Sequence, residues 1–168
     1  MAEADFSVAR LRDLVHYEST TGVFTLRVDV SHIRKAGRRI DVVKHGRRSS
    51  GYRSVNILGR RFLAHRLAWA LHFGEWPAHS VDHLNGERSD NRIANLRCAT
   101  SATNAQNQRT HHANSKTGVM GVHIDKGRYR AQITVNGSTK QVGVFDTVDE
   151  AHAAYLEAKR RYHPGCVI

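Results

Sequence analysis

The residues best equipped for chemistry in this 168-residue chain lie between positions 81 and 109, in VDHLNGERSDNRIANLRCATSATNAQNQR. A carboxylate and an imidazole stand side by side at Asp82 and His83, a turn-rich loop follows, and asparagines return at Asn95 and Asn104. Together these are the parts needed to hydrolyse a phosphodiester with one metal ion: a base to deprotonate water, a group to orient that base, and hard oxygen ligands for the ion.

The surrounding residues predict how such a site is positioned. Residues 80–83 read as a short strand, and the run 84–91 is dense in residues that favour turns. Residues 95–99 can pair back as a second strand. Thr100 or Ser101 can then cap a helix carrying Asn104 and Gln108 on one face. A surface turn between two strands would use many of the same residues. The two returning asparagines and the apolar helical stripe upstream favour a site.

On these residues the segment resembles the ββα-metal core of HNH endonucleases, in the branch whose motif reads His-Asn-Asn. The preceding GYRSVNILGRRFLAHRLAWALHFGEWP is similar to the lead-in of phage and homing-type members. The resemblance implies His83 as general base, Asn95 as the residue that holds its ring, and Asp82 and Asn104 as ligands of a divalent ion. Asn91 matches a frequent loop position of the family and reads as a turn former. With asparagine rather than histidine at position 104, the implied ligands are all oxygen. Such a set suits Mg2+ or Mn2+ better than zinc. The implied reaction leaves 5′-phosphate and 3′-hydroxyl ends, and one copy of the motif means one cut per monomer, hence a nick unless two chains meet.

The elements before the motif are a helix over 8–15 after Ser7, a strand over 23–28 after the Thr21-Gly22 turn, and a hairpin of strands 52–57 and 60–63 about Leu58-Gly59. Leu63, Leu67, Ala70 and Leu71, with Trp69 and Phe73, form a helical apolar stripe that stops near Gly74 and serves as core. That stripe gives the ββα unit a surface, since a hairpin and one helix bury too little alone.

Beyond a polar linker over 107–116, the chain has a second pattern. Tyr129, Ala131, Ile133 and Val135 alternate with Arg128, Arg130, Gln132 and Thr134, which predicts a strand with one apolar and one cationic face. Strands over 119–124 and 140–144 flank it, the latter reached through the Asn136-Gly137 turn. Thr147 to Glu150 reads as a capping box, opening a helix whose apolar face holds Val148, Ala151, Ala154, Tyr155, Ala158 and Tyr162. From about position 115 to 165, TGVMGVHIDKGRYRAQITVNGSTKQVGVFDTVDEAHAAY resembles the AP2 DNA-binding domain. The resemblance implies major-groove contacts from His123, Arg128, Arg130, Gln132, Thr134, Thr139 and Gln141. Met120, His123, Thr139 and Gln141 stand where plant members carry arginine or tryptophan, so a target sequence does not carry over.

The expected architecture is therefore α+β: residues 1–106 as a strand and helix extension plus an HNH nuclease domain with its ββα core at about 80–108, then the 107–116 linker, then 117–168 as a three-stranded antiparallel sheet with one helix, AP2-like. Composition agrees with a nucleic-acid partner. With 26 Lys plus Arg against 15 Asp plus Glu, the formal charge is +11 and the pI about 10.4, a strong bias toward a polyanion. The excess concentrates over 27–61, which reads as a surface that tracks phosphates or, more plainly, as a solvated basic face. No apolar run has the length of a membrane span and the N-terminal residues lack a signal core, so a soluble cytoplasmic protein of a bacterial host, phage- or prophage-encoded, is expected. Cys98 and Cys166 form no CxxC pair, which excludes a cysteine zinc ribbon. Of twelve histidines, only His83 has the motif spacing; His65 is a candidate to support it, and the others read as surface or DNA-facing groups. The expected partner is double-stranded DNA, bound by a monomer or dimer that needs no small-molecule cofactor beyond the metal. The competing readings are a DNA-binding regulator with a silent HNH core and a basic protein that coats nucleic acid.

Overall fold

The computed structural model describes residues 6–40, 43–44, 51–108 and 115–166. The expected linker thus falls largely outside the described residues, as do His111, His112 and part of the basic 27–61 stretch. The chain divides into two compact units, Met1–Thr100 and Ser101–Ile168.

In the first unit the Ser7 hydroxyl accepts the Arg10 N–H at 3.2 Å and caps helix α1, Val8–Leu14. Val15 leaves the helix in an extended conformation and begins strand β1, Val15–Glu18, which pairs antiparallel with β2, Val23–Leu26. The helical pattern at 8–15 hides this switch, because Val15 suits the buried face of either element; the expected helix is one residue too long and β1 was not foreseen. Strand β2 also stops at Leu26, short of the expected 28, and Val28 lies 40% exposed beyond it.

Strands β3 (Val43–Lys44), β4 (Arg53–Ile57) and β5 (Arg60–Leu63) form an antiparallel sheet in that order. The β4–β5 turn uses positive φ at Leu58 (48°) and Gly59 (81°), the conformation that matches strand twist in a two-residue hairpin. Helix α2, Ala64–Phe73, ends at Gly74, whose left-handed φ of 90° lets its N–H reach the Ala70 carbonyl. The Arg12 guanidinium also donates to the Leu71 carbonyl at 2.9 and 3.0 Å and to His72 O at 3.1 Å. A cation on the last carbonyls of a helix contributes about 0.3–1 kcal/mol. Leu67, Ala68 and Leu71 of α2 join Leu11, Val15, Phe24, Val55, Phe62, Val81 and Leu96 in one core. Phe73, expected in that core, is instead 52% exposed and lies against Trp69 with ring centroids 4.3 Å apart. Strands β6 (Ser80–His83) and β7 (Leu96–Ala99) complete the unit, with Val81 opposite Cys98, Asp82 opposite Arg97 and His83 opposite Leu96.

The second unit begins with α3, Ser101–Gln106, which carries Asn104; Gln108, expected on the same helical face, lies past the helix end. Helix α3 is tied to the end of the chain. The Gln106 side-chain oxygen accepts the Gly165 N–H at 3.0 Å, and the buried Lys159 ammonium donates to the Gln108 carbonyl. Strands β8 (Val122–Asp125), β9 (Arg128–Val135) and β10 (Ser138–Phe145) form an antiparallel sheet with β9 in the centre. Thr147 caps α4, Val148–Tyr162, accepting the Glu150 N–H at 3.2 Å. Ala131 and Ile133 of β9 pack on Ala151, Tyr155 and Ala158 of α4. Among the described residues no helix is long and apolar enough to cross a membrane.

Candidate active site

Strand β6 delivers both leading candidates. Alternation along a strand sends neighbouring side chains to opposite faces, so His83 turns inward and is 2% exposed while Asp82 stays half-buried on the other face. The His83 ring lies edge-on to His65 at 5.2 Å and near Tyr52 at 6.0 Å, with Tyr52 and His65 themselves 5.0 Å apart. Burial pushes the His83 imidazole below its usual range; a hydrogen bond to the Asn91 side-chain oxygen and the charges of Asp82 and Asp90 oppose this, and Arg88 adds to it. The net effect is downward and favours the neutral ring, the form a general base needs. His65, the candidate to support His83, is in ring contact with it.

The loop between β6 and β7 is laced by its own side chains. Asn95, the last residue of a single 3-10 turn over Ile93–Asn95, accepts the Asn85 N–H at 2.9 Å and donates from Nδ2 to the Asp90 carbonyl at 2.9 Å. Its amide thus spans the loop and fastens both ends. Asn91, by contrast, reaches the ring: its Oδ1 lies 3.5 Å from His83 Nε2. Asn91 is also the turn residue the sequence suggested, since its Nδ2 donates to the Ser89 carbonyl at 3.1 Å. Asp90 accepts two bonds from the Arg92 guanidinium, at 2.8 and 2.6 Å, one from the Arg92 backbone N–H at 3.3 Å, and one from Asn85 Nδ2 at 2.9 Å. Those bonds, Arg92 first, lower its carboxyl to about 2.

Asp82 is paired across the strands with Arg97, which places Nη2 at 3.0 Å and Nε at 3.3 Å from the same carboxylate oxygen. Among the described residues no three His, Cys, Asp or Glu side chains cluster as a metal site. What β6 offers is one carboxylate already balanced by a guanidinium. Such a donor fits a hard ion held weakly and completed by phosphate and water, rather than a closed zinc site. Asn104, the other oxygen donor proposed from sequence, stands on α3 in the second unit.

The register of the second sheet gathers the candidate DNA-binding side chains on one face. His123 stands opposite Arg130, Gln132 opposite Gln141, and Thr134 opposite Thr139, the last two hydroxyls 3.2 Å apart. Arg128, two residues before Arg130 on β9, shares that face. Two carboxylates that the sequence reading left out also stand here. Arg128 Nε donates to Asp146 at 2.8 Å, and Arg130 Nη1 lies 3.7 Å from Asp125.

Three features of the first unit escaped sequence reasoning: the Asn91 contact, the Tyr52 ring beside His65 and His83, and the β1–β2 hairpin behind the loop. None has a spacing to His83 that periodicity could expose, since each comes from a different element. The only available signal for Asn91 was its place in the loop.

Comparison with known proteins bears on the same region. Residues 62–106 match the protein-family model for HNH endonuclease. A curated relative, an uncharacterized HNH endonuclease of Acanthamoeba polyphaga mimivirus, is 32% identical over 108 residues, covering 63% of this chain and 55% of the relative. The chain therefore spans about half the length of the curated relative it matches. No solved structure matches it. The segment that contains β6, the loop, β7 and α3 is thus similar to HNH endonucleases.

Proposed function

We propose that the chain is a metal-dependent DNA endonuclease of the phage or mobile-element homing kind, with His83 as its general base. The observation that carries this is the buried imidazole of His83, next to Asp82 in sequence on β6, within the segment similar to HNH endonucleases. His83 takes a proton from water as the water oxygen attacks phosphorus in line. The P–O3′ bond breaks, leaving a 5′-phosphate and, after protonation of the departing oxygen, a 3′-hydroxyl. Asp82 is the carboxylate that would hold a divalent ion, Mg2+ or Mn2+, and Asn104 is proposed as a further oxygen donor on its sequence spacing. Such an ion, when bound, supplies positive charge to the phosphorane transition state and the leaving oxygen. Asn95 acts on the loop backbone that follows His83.

Residues 117–168 are proposed as an AP2-like reader of double-stranded DNA that uses the β8–β9–β10 face bearing Arg128, Arg130 and Gln132. A host cytoplasm is the proposed setting. Incubating supercoiled plasmid with the protein and Mg2+, Mn2+ or chelator tests the reading. Conversion to nicked circles with either ion and none in chelator is expected. DNA binding without cleavage under every condition would instead identify a non-catalytic regulator.

A further inference from the structure

We propose that Asn91, clamped from behind by the β1–β2 hairpin, is the positioning residue that fixes the orientation and tautomer of His83. The inference rests on the reading of His83 as general base, but its geometry stands apart from that reading. Asn91 Nδ2 donates to the Ser89 carbonyl at 3.1 Å, which decides the amide's orientation and turns Oδ1 toward the ring. An amide oxygen only accepts, so the His83 nitrogen 3.5 Å away, Nε2, must carry the hydrogen. The lone pair of the neutral ring then resides on Nδ1.

Asn91 is itself held from outside the loop. Tyr17 of β1 donates its hydroxyl hydrogen to the Asn91 carbonyl at 2.7 Å. The Ile93 N–H donates to the Ser19 carbonyl at 3.0 Å. Gly22, at φ +73°, passes so close that an added Cβ would lie 3.0 Å from both Asn91 C and Arg92 N. Three contacts from one hairpin therefore converge on the two peptide units at Asn91 and Arg92. The Tyr17 phenol is partly buried and raised in pKa by that burial and by Asp90, so it remains a donor. The hairpin lies before the segment similar to HNH endonucleases, yet it backs the loop that touches the base.

The test is a long-range 1H–15N spectrum of the His83 imidazole in the full chain, in chelator at pH 8, assigned with His83→Ala. The wild type should show the Nε2–H form, Asn91→Ala a mixture of both tautomers, and Tyr17→Phe a shift in the same direction. In plasmid cleavage, Asn91→Ala should lower kcat by about 10–100-fold with KM nearly unchanged, the usual cost of losing a partner behind a working residue. Tyr17→Phe removes a single hydroxyl and keeps the readout available if Asn91→Ala does not fold. An Nδ1–H ring in the wild type, or an unchanged tautomer in both variants, overturns the proposal. If the tautomers respond as expected but the wild type cuts no DNA, the nuclease reading falls and the positioning role stands.

Discussion

At the scale of single residues, the site is a contest over two side chains. His83 is buried and titrates below its usual value of 6.5, so cleavage should hold steady from neutral pH upward and fall only as acid protonates the ring. A pH–rate profile whose acid limb lies below 6.5 is the expected outcome, checked by plasmid cleavage at saturating metal. The same shift acts on folding. Between the folded and unfolded pKa values the unfolded chain binds more protons, so this group's contribution to stability is lost as pH drops below 6.5. Asp90 behaves in the opposite chemical sense with the same outcome, because its stabilising ionisation disappears between its usual 3.8 and about 2. Asp82 is contested by Arg97. Asp82→Ala should lose activity and recover part of it at high metal. Arg97→Gln, by removing a competing charge, should lower the Mn2+ concentration giving half-maximal cleavage by about three- to tenfold. A Mn2+ titration of cleavage rate checks both.

At the scale of elements, two glycines carry constraints that no side chain can meet. At Gly121, φ +71°, an added Cβ would fall 2.0 Å from the Tyr155 ring. Gly121→Ala should therefore destabilise the second unit by about 2–3 kcal/mol or more, seen as a lower melting temperature in calorimetry. Gly22→Ala should slow cleavage as well as lower stability, since the hairpin backs the Asn91 loop. Much of this arrangement was legible in the sequence. Thr147 and Glu150 announced α4, Asn136-Gly137 the β9–β10 turn, and Gly74 the end of α2, because caps and turns are local chemistry. The β1 strand was not legible, since Val15 ends a helical pattern and starts a strand with the same buried side chain. Phe73 looked like core by spacing alone, yet it extends the α2 stripe past the surface that covers it. At the site, types and spacing single out Asp82, His83 and Asn95 as candidates, but the ring-holding role that the resemblance implies for Asn95 does not match its amide's bonds to the Asn85 N–H and the Asp90 carbonyl. The Asn91 contact was not legible, because it depends on how a loop folds back over eight residues and on a hairpin far away in sequence.

At the scale of the whole molecule, the proposed DNA binding should depend steeply on salt, given a formal charge of +11. The sheet face adds less charge than its arginines suggest, since Asp146 holds Arg128 and Asp125 lies beside Arg130. Arg130→Ala tests whether that face meets DNA. A guanine contact would cost about 1–3 kcal/mol of discrimination at one base, and a phosphate contact would reduce the salt slope by about one unit on every sequence. Fluorescence anisotropy across salt concentrations and target sequences distinguishes them, and unchanged binding throughout would remove the face from recognition. The central claim, that His83 is the base of a hydrolytic site, is tested most directly by His83→Ala with cleavage and DNA affinity measured side by side. The account predicts a loss in cleavage rate of at least about 100-fold, with a dissociation constant within about twofold of the wild type. Cleavage by His83→Ala at the wild-type rate would contradict it.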